Sequence, residues 1–231
     1  MDMYQRYSRN LPALSRQEQE LLHKKRVLVA GCGGLGGYIT ENLLRLGIGH
    51  ITAVDGDSFD VSNLNRQLLA TEATIGKSKA EAAKERAALV NPSVEFMAIG
   101  KYITPENAAD TIAGHNIVID ALDSVSARLL LEDACAQADI PLIHGAVCGW
   151  CCQYGVSMPG TGYTQAPFQR ITAFCRLFRH SAQRCNVPRR QSCLQEGRYP
   201  PISFIYTTFA QWILRSLTFS LIRFVQPRLC S

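Results

Sequence analysis

The hydrophobic positions change period along the chain, and each change marks an element. Residues 26–30 (RVLVA) are a short apolar, β-branched run that stops at a glycine cluster, as a buried strand ending in a tight turn does. Over 37–46 the apolar residues Ile39, Leu43, Leu44 and Leu46 fall near helical spacing. Gly47 and Gly49 end that helix before a second strand at 50–54. The Ala-rich stretch 78–90 opens on a serine and is halted by Asn91-Pro92, which predicts a helix. Further strands are predicted at 94–99 and 116–120, a short helix at 105–113, a longer one at 124–137, and a fifth strand begins at 141–144.

Strands alternating with helices predict an α/β fold: a Rossmann-like, mostly parallel sheet with helices on both faces, because parallel neighbours need crossover connections. No internal repeat is present, and no stretch of eighteen uncharged apolar residues predicts a transmembrane segment. A length of 231 residues suits one main domain with an appendage rather than two full domains.

Composition changes this picture in two places. The net charge of +5 suggests a nucleic-acid partner until it is split along the chain: residues 1–160 carry −4, whereas 161–231, with ten Arg and one Glu, carry +9. The glycine and acidic motifs all lie in the acidic part, so no DNA partner is expected. Nine cysteines without regular spacing argue for free thiols, and the first ten residues lack the layout of a secretory signal, so a cytoplasmic location is expected.

Gly31-Cys32-Gly33-Gly34-Leu35-Gly36 comes directly after the first strand and opens a helix, the arrangement that brings phosphate close to backbone N–H groups. Asp55 closes the second strand, where an acid meets ribose hydroxyls in dinucleotide folds. This pattern alone fits NAD as well as ATP. The residues from Asp55 to Lys79 favour a triphosphate: Asp55-Gly56-Asp57, then Ser62-Asn63-Leu64-Asn65-Arg66-Gln67, then Gly76-Lys77-Ser78-Lys79. Cationic side chains are what hold a phosphate tail and stabilise charge on departing pyrophosphate. On the residues alone, Lys79 reads more readily as a solvated helix lysine, Asp123 equally as a cap for the helix near Ser124, and His144 more readily as a packed strand-end residue.

At these motifs the chain resembles the ThiF/MoeB/HesA family of adenylyltransferases, relatives of the ubiquitin-activating enzymes. The resemblance rests on Arg6-Tyr7-Ser8-Arg9, the glycine loop, Asp55-x-Asp57, Ser62-Asn63-Leu64-x-Arg66-Gln67, Lys79 and Asp120-Ala121-Leu122-Asp123. It continues through His144-Gly145-Ala146 to Met158-Pro159-Gly160. It implies that Gly31, Gly33, Gly34, Gly36, Asp57 and Gln67 help form an ATP site, that Asp55 holds the ribose, and that Asn63, Arg66 and Lys79 contact phosphates. It further implies that Asp123 binds Mg²⁺ and that Arg9 reaches into a partner subunit's site in a homodimer. The implied reaction is adenylation of the C-terminal carboxylate of a small ubiquitin-like carrier protein ending in Gly-Gly. A tRNA threonylcarbamoyladenosine dehydratase, an NAD-dependent oxidoreductase and a non-catalytic nucleotide-binding protein are the alternatives.

The chain departs from the family pattern at three points. Ser124 stands where the family usually has Asn after the magnesium aspartate. The two Cys-x-x-Cys pairs of a structural zinc are missing: Cys148 and Cys151 are one such spacing, but they precede Pro159, and Cys175, Cys185 and Cys193 are ten and eight apart, so no zinc is expected. Residues 1–162 read as the adenylation domain. Residues 163–231 hold no Lys and no Asp, which reads as a divergent tail or a shifted reading frame. Within that tail, 202–225 is apolar but interrupted by Arg215 and Arg223, a pattern that suits loose packing, aggregation or contact with a membrane surface.

Overall fold

The structure is a computed structural model and describes residues 3–11, 13–148, 151–158 and 173–176. The side chains of residues 3, 4, 148, 151–153 and 173–176 are outside that description. So are Cys185, Cys193 and the 202–225 segment.

Two helices precede the first strand: α1 (Met3–Arg6) and α2 (Arg16–His23). Ser15 and Glu18 start α2 with a reciprocal capping box, each side chain bonding the other's backbone N–H. Then come β1 (Arg26–Ala30), α3 (Gly34–Leu46), β2 (His50–Val54), a 3₁₀ turn (Val61–Asn63), α4 (Lys79–Val90), β3 (Glu95–Ile99), α5 (Ala108–Ile112), β4 (Ile117–Asp120) and α6 (Val125–Gln137). The chain continues in β5 (Leu142–Cys148), β6 (Cys151–Ser157) and β7 (Ala173–Arg176).

The strands form one seven-stranded sheet in the order β3-β2-β1-β4-β5-β6-β7. The first five are parallel, while β6 and β7 add antiparallel at one edge. The parallel part is therefore doubly wound, with its order reversing between β1 and β4. Alternation along β1 explains how both faces are buried. Val27 and Val29 pack with Ile39, Leu43 and Leu44 of α3 and Ala87 of α4, whereas Leu28 and Ala30 pack with Ile112 of α5 and Leu131 and Cys135 of α6. Each fully buried Leu or Ile contributes roughly 1.5–3 kcal/mol by leaving water, so the two clusters hold the helices to the sheet.

The expected α/β class and strand positions hold, with shifted ends. Helix α3 begins at Gly34 rather than 37, because the glycine loop itself supplies the first turn. Helix α5 starts at Ala108 after Asn107, whose side chain bonds the preceding turn at Thr104 rather than the helix, leaving Pro105 in that turn.

Candidate functional site

The carboxyl ends of β1 to β5 converge on a cavity of about 650 Å³. Its wall takes Gly31, Gly33 and Gly34 after β1, Asp55 and Asp57 after β2, Lys101 and Tyr102 after β3, Asp123 and Arg128 after β4, and Gly145 to Val147 from β5. This is where ligands of open α/β sheets bind, since the strand order reverses between β1 and β4.

The glycine loop is shaped by close backbone approaches. Gly31 has φ +95°, and a Cβ there would meet the Ala121 carbonyl oxygen at 2.7 Å. A Cβ on Gly36 would lie 1.7 Å from the Gly31 carbonyl oxygen. No side chain fits at either place, so the loop packs closely against Ala121 and the start of α3, with the Gly31 N–H given to the Val54 carbonyl and the Cys32 N–H to Asp55.

Asp55 braces this loop. Its Oδ2 accepts the Cys32 N–H at 2.7 Å and its Oδ1 accepts the Asp57 N–H at 2.8 Å. Burial raises its carboxyl above the ordinary range, against the pull of those two N–H groups and of Lys79. Burial, with help from Asp55, likewise keeps the Cys32 thiol protonated.

Beside it, Asp57 accepts a bond from Lys79 Nζ at 2.9 Å and one from the Tyr102 hydroxyl at 2.5 Å. Those two donors, Tyr102 foremost, hold its carboxyl below the usual carboxylate range. Lys79 is buried, which is not the position of a solvated helix lysine, and its ion pair with Asp57 compensates the buried charge.

Arg66 comes after the 3₁₀ turn and donates to the Ser62 carbonyl at 2.8 Å and to Asn65 Oδ1 at 3.0 Å. Both partners are neutral, so its charge is available at the cavity wall. Gln67 also lines the cavity and is buried, with its Oε1 lacking a partner. Asp123 is exposed on the wall and does not cap α6: the N-cap is Ser124, whose hydroxyl bonds Ser126 rather than the helix backbone. One carboxylate beside a hydroxyl is a donor set that suits a hard divalent cation shared with phosphate oxygens.

Three residues named from the sequence are not on the wall. Gly36 underlies the loop. Asn63 is buried, accepts the Asp60 N–H at 3.1 Å and locks the 3₁₀ turn that carries Arg66. Arg9 is exposed and away from the cavity within this chain.

The structure adds contacts that the sequence reading did not pair, and brings in Arg128, Lys101 and Tyr102. His144, expected as a packed strand residue, lies inside β5 and is buried, but its Nδ1 is 2.5 Å from Asp120 Oδ2. Arg128 bonds the His144 ring, donates to the Gly145 carbonyl at 3.2 Å and also bonds the Leu122 carbonyl. Asp120, fully buried, accepts the Leu122 N–H at 2.9 Å. Together they staple the loop after β4 to the wall from β5. Lys101 and Tyr102 could have been found from their place just past β3, and Arg128 from its place one turn into the helix after Asp123. Among the described residues no group of three or more His, Cys, Asp or Glu gathers as a metal site; the backbones of Cys148 and Cys151 pair across the β5–β6 turn.

Known proteins resemble this chain in sequence and in fold. The molybdopterin-synthase adenylyltransferase of Salmonella typhimurium is 40% identical over 143 residues, covering 61% of this chain and 57% of that protein. The tRNA threonylcarbamoyladenosine dehydratase of Bacillus subtilis is 38% identical over 142 residues, covering 61% and 56%. Among solved structures, Escherichia coli tRNA N6-threonylcarbamoyladenosine dehydratase, TcdA, in complex with ATP, superposes with a TM-score of 0.60 at 34% identity, covering 62% of this chain and 60% of that one. The chain thus spans a little over half the length of these relatives. The ThiF family pattern matches residues 7–218, well past Gly160 where the motif resemblance ends, and with the glycine loop, the paired acids and the cations on one wall this chain belongs to the ThiF family.

Proposed function

We propose that this chain is an ATP-dependent adenylyltransferase that activates the C-terminal carboxylate of a small ubiquitin-like sulfur-carrier protein. The observation that carries the reading is the company kept by the ribose acid: Arg66, Lys79 and Asp123 line the same cavity as Asp55. Hydride transfer needs no such set, whereas a triphosphate does. The molybdopterin-synthase adenylyltransferases among the relatives support the substrate class.

The chemistry rests on ordinary ionisation. A peptide carboxylate is already anionic at pH 7, so its oxygen attacks the α-phosphorus without a general base. The new O–P bond forms, the bond to the bridging oxygen breaks, and pyrophosphate leaves with the electron pair. Arg66 and Lys79 stabilise that charge, and the Gly31–Gly36 loop orients the phosphates. Asp123, with Ser124 beside it, is the residue that would hold Mg²⁺; bound there, the ion would neutralise phosphate charge. Arg9, exposed on this chain, is assigned to the partner's site in a homodimer. Residues 1–162 are assigned the nucleotide chemistry, the described wall ending at Val147. A cytoplasmic location is part of the same reading; no helix among the described residues is long and apolar enough to cross a membrane.

A second reading has its own support. The Bacillus subtilis relative and the ATP-bound TcdA structure carry the dehydratase name, so a carboxylate on tRNA is the rival nucleophile. Pyrophosphate release is measured with a panel of carriers ending in Gly-Gly and, separately, with tRNA bearing threonylcarbamoyladenosine. Stimulation by a carrier supports the first reading; stimulation by the tRNA alone replaces it with the second.

A further inference from the structure

We propose that Tyr102 is the stacking wall for the nucleobase and sets a preference for purine over pyrimidine nucleotides at this site. The inference rests on the nucleotide reading and deepens it.

The cavity has a direction. The glycine loop after β1 and Asp55 after β2 both line it, and on the nucleotide reading the loop takes the phosphates and Asp55 the ribose. In a nucleotide the base lies on the far side of the sugar from the phosphates. Strand β3 lies on the far side of β2 from β1, so the sheet order β1, β2, β3 continues the order phosphate, ribose, base. Tyr102, three residues past the end of β3, is the aromatic side chain on the cavity wall at that position.

Its ring is held in place at two points. The hydroxyl donates to Asp57 at 2.5 Å. The ring lies flat on Gly56: a Cβ built on that glycine would sit 2.7 Å from each of three ring carbons, Cγ, Cδ1 and Cδ2. One face is therefore against backbone, yet the residue remains 65% exposed. A tyrosine filling the core would be buried and one left to solvent would be mobile; this one is pinned and open. A flat ring fixed before binding loses little further freedom when a base stacks on it, and purines offer the larger π-face.

The same geometry gives Gly56 a purpose, since any side chain there would lift the ring from its seat. Lys79, bonded to the other oxygen of Asp57, ties the ring's anchor to the phosphate-binding part of the wall.

The test is calorimetric titration of the full-length protein with ATP and with CTP, with no carrier present. Wild type is expected to bind ATP more tightly than CTP. Base–aromatic stacking typically contributes enough that Tyr102→Ala should weaken ATP about tenfold, with a smaller loss for CTP, narrowing the ratio of the two affinities. Tyr102→Phe keeps the ring and should keep most of the ratio. Gly56→Ala should narrow the ratio with the tyrosine still present. Unchanged ATP affinity in Tyr102→Ala, or equal losses for both nucleotides, overturns the wall while leaving the nucleotide reading standing. A wild type that binds neither nucleotide overturns the nucleotide reading and the wall with it.

Discussion

The Nδ1 of His144 lies 2.5 Å from Oδ2 of Asp120, which is fully buried at the end of β4. Arg128 completes the pair from α6, 3.8 Å from the same carboxylate oxygen. Removing one member of a buried charged group leaves the others uncompensated, which costs about 3–5 kcal/mol. Arg128→Ala should therefore lower stability by about 3 kcal/mol in urea unfolding, and it should also loosen the loop that presents Asp123. A loss below about 1 kcal/mol would mean that the staple is not structural.

Two glycines separate close approach from backbone strain. At Gly36 a Cβ would lie 1.7 Å from the Gly31 carbonyl oxygen, so Gly36→Ala must push the loop off the helix. At Gly76 φ is +81° but nothing lies within 4 Å of the added carbon. Gly76→Ala should cost about 1–2 kcal/mol for the left-handed backbone alone. Gly36→Ala should cost more than about 3 kcal/mol and abolish nucleotide binding. Equal thermal shifts in the two variants would contradict this account of the loop.

Asp123 is exposed and its neighbour Ser124 is the N-cap of α6, so Asp123→Asn should fold with a melting temperature near wild type. Metal-dependent pyrophosphate exchange should nearly vanish. Arg9→Ala should lose exchange as well, and mixing the two variants should restore one working site per heterodimer. Normal exchange in folded Asp123→Asn rejects the metal assignment. Absence of rescue in verified heterodimers rejects the shared site.

Asp57 titrates below the usual carboxylate range because Tyr102 and Lys79 bond its ionised form. A depressed folded value stabilises the protein above the unfolded value of about 3.9, and that stabilisation disappears as pH falls through the folded value. The stability difference between wild type and Asp57→Asn should thus be present at pH 7 and shrink steadily below about pH 4. A difference that is constant with pH would show that Asp57 acts through packing rather than charge.

What the sequence disclosed was local. The run at 26–30, the glycines after it and Asp55 sit within one strand–helix–strand unit, where spacing along the chain is spacing in space. Ser15 and Glu18 carried a legible capping signature for α2, which the hydrophobic pattern alone did not reveal. The pairings that finish the site join residues far apart in the chain: Tyr102 and Asp57 are 45 residues apart, Asp120 and His144 are 24. No period or motif announces such partners. Strand β6, with its cysteines, glutamine and glycine, lacks a strand-like composition and is held by pairing along β5.

Attack on the α-phosphorus of ATP is the step on which the proposed function turns, and the products of ATP cleavage test it most directly. Purified protein is incubated with ATP, Mg²⁺ and the carrier panel or the modified tRNA, and the nucleotides formed are separated and quantified. Pyrophosphate matched by an equal amount of AMP, counted as acyl-adenylate plus free nucleotide, dependent on the carboxylate substrate and lost in Lys79→Ala and Arg66→Ala, is the expected result. ADP and phosphate, or no cleavage together with tighter binding of NADH than of ATP, would contradict it.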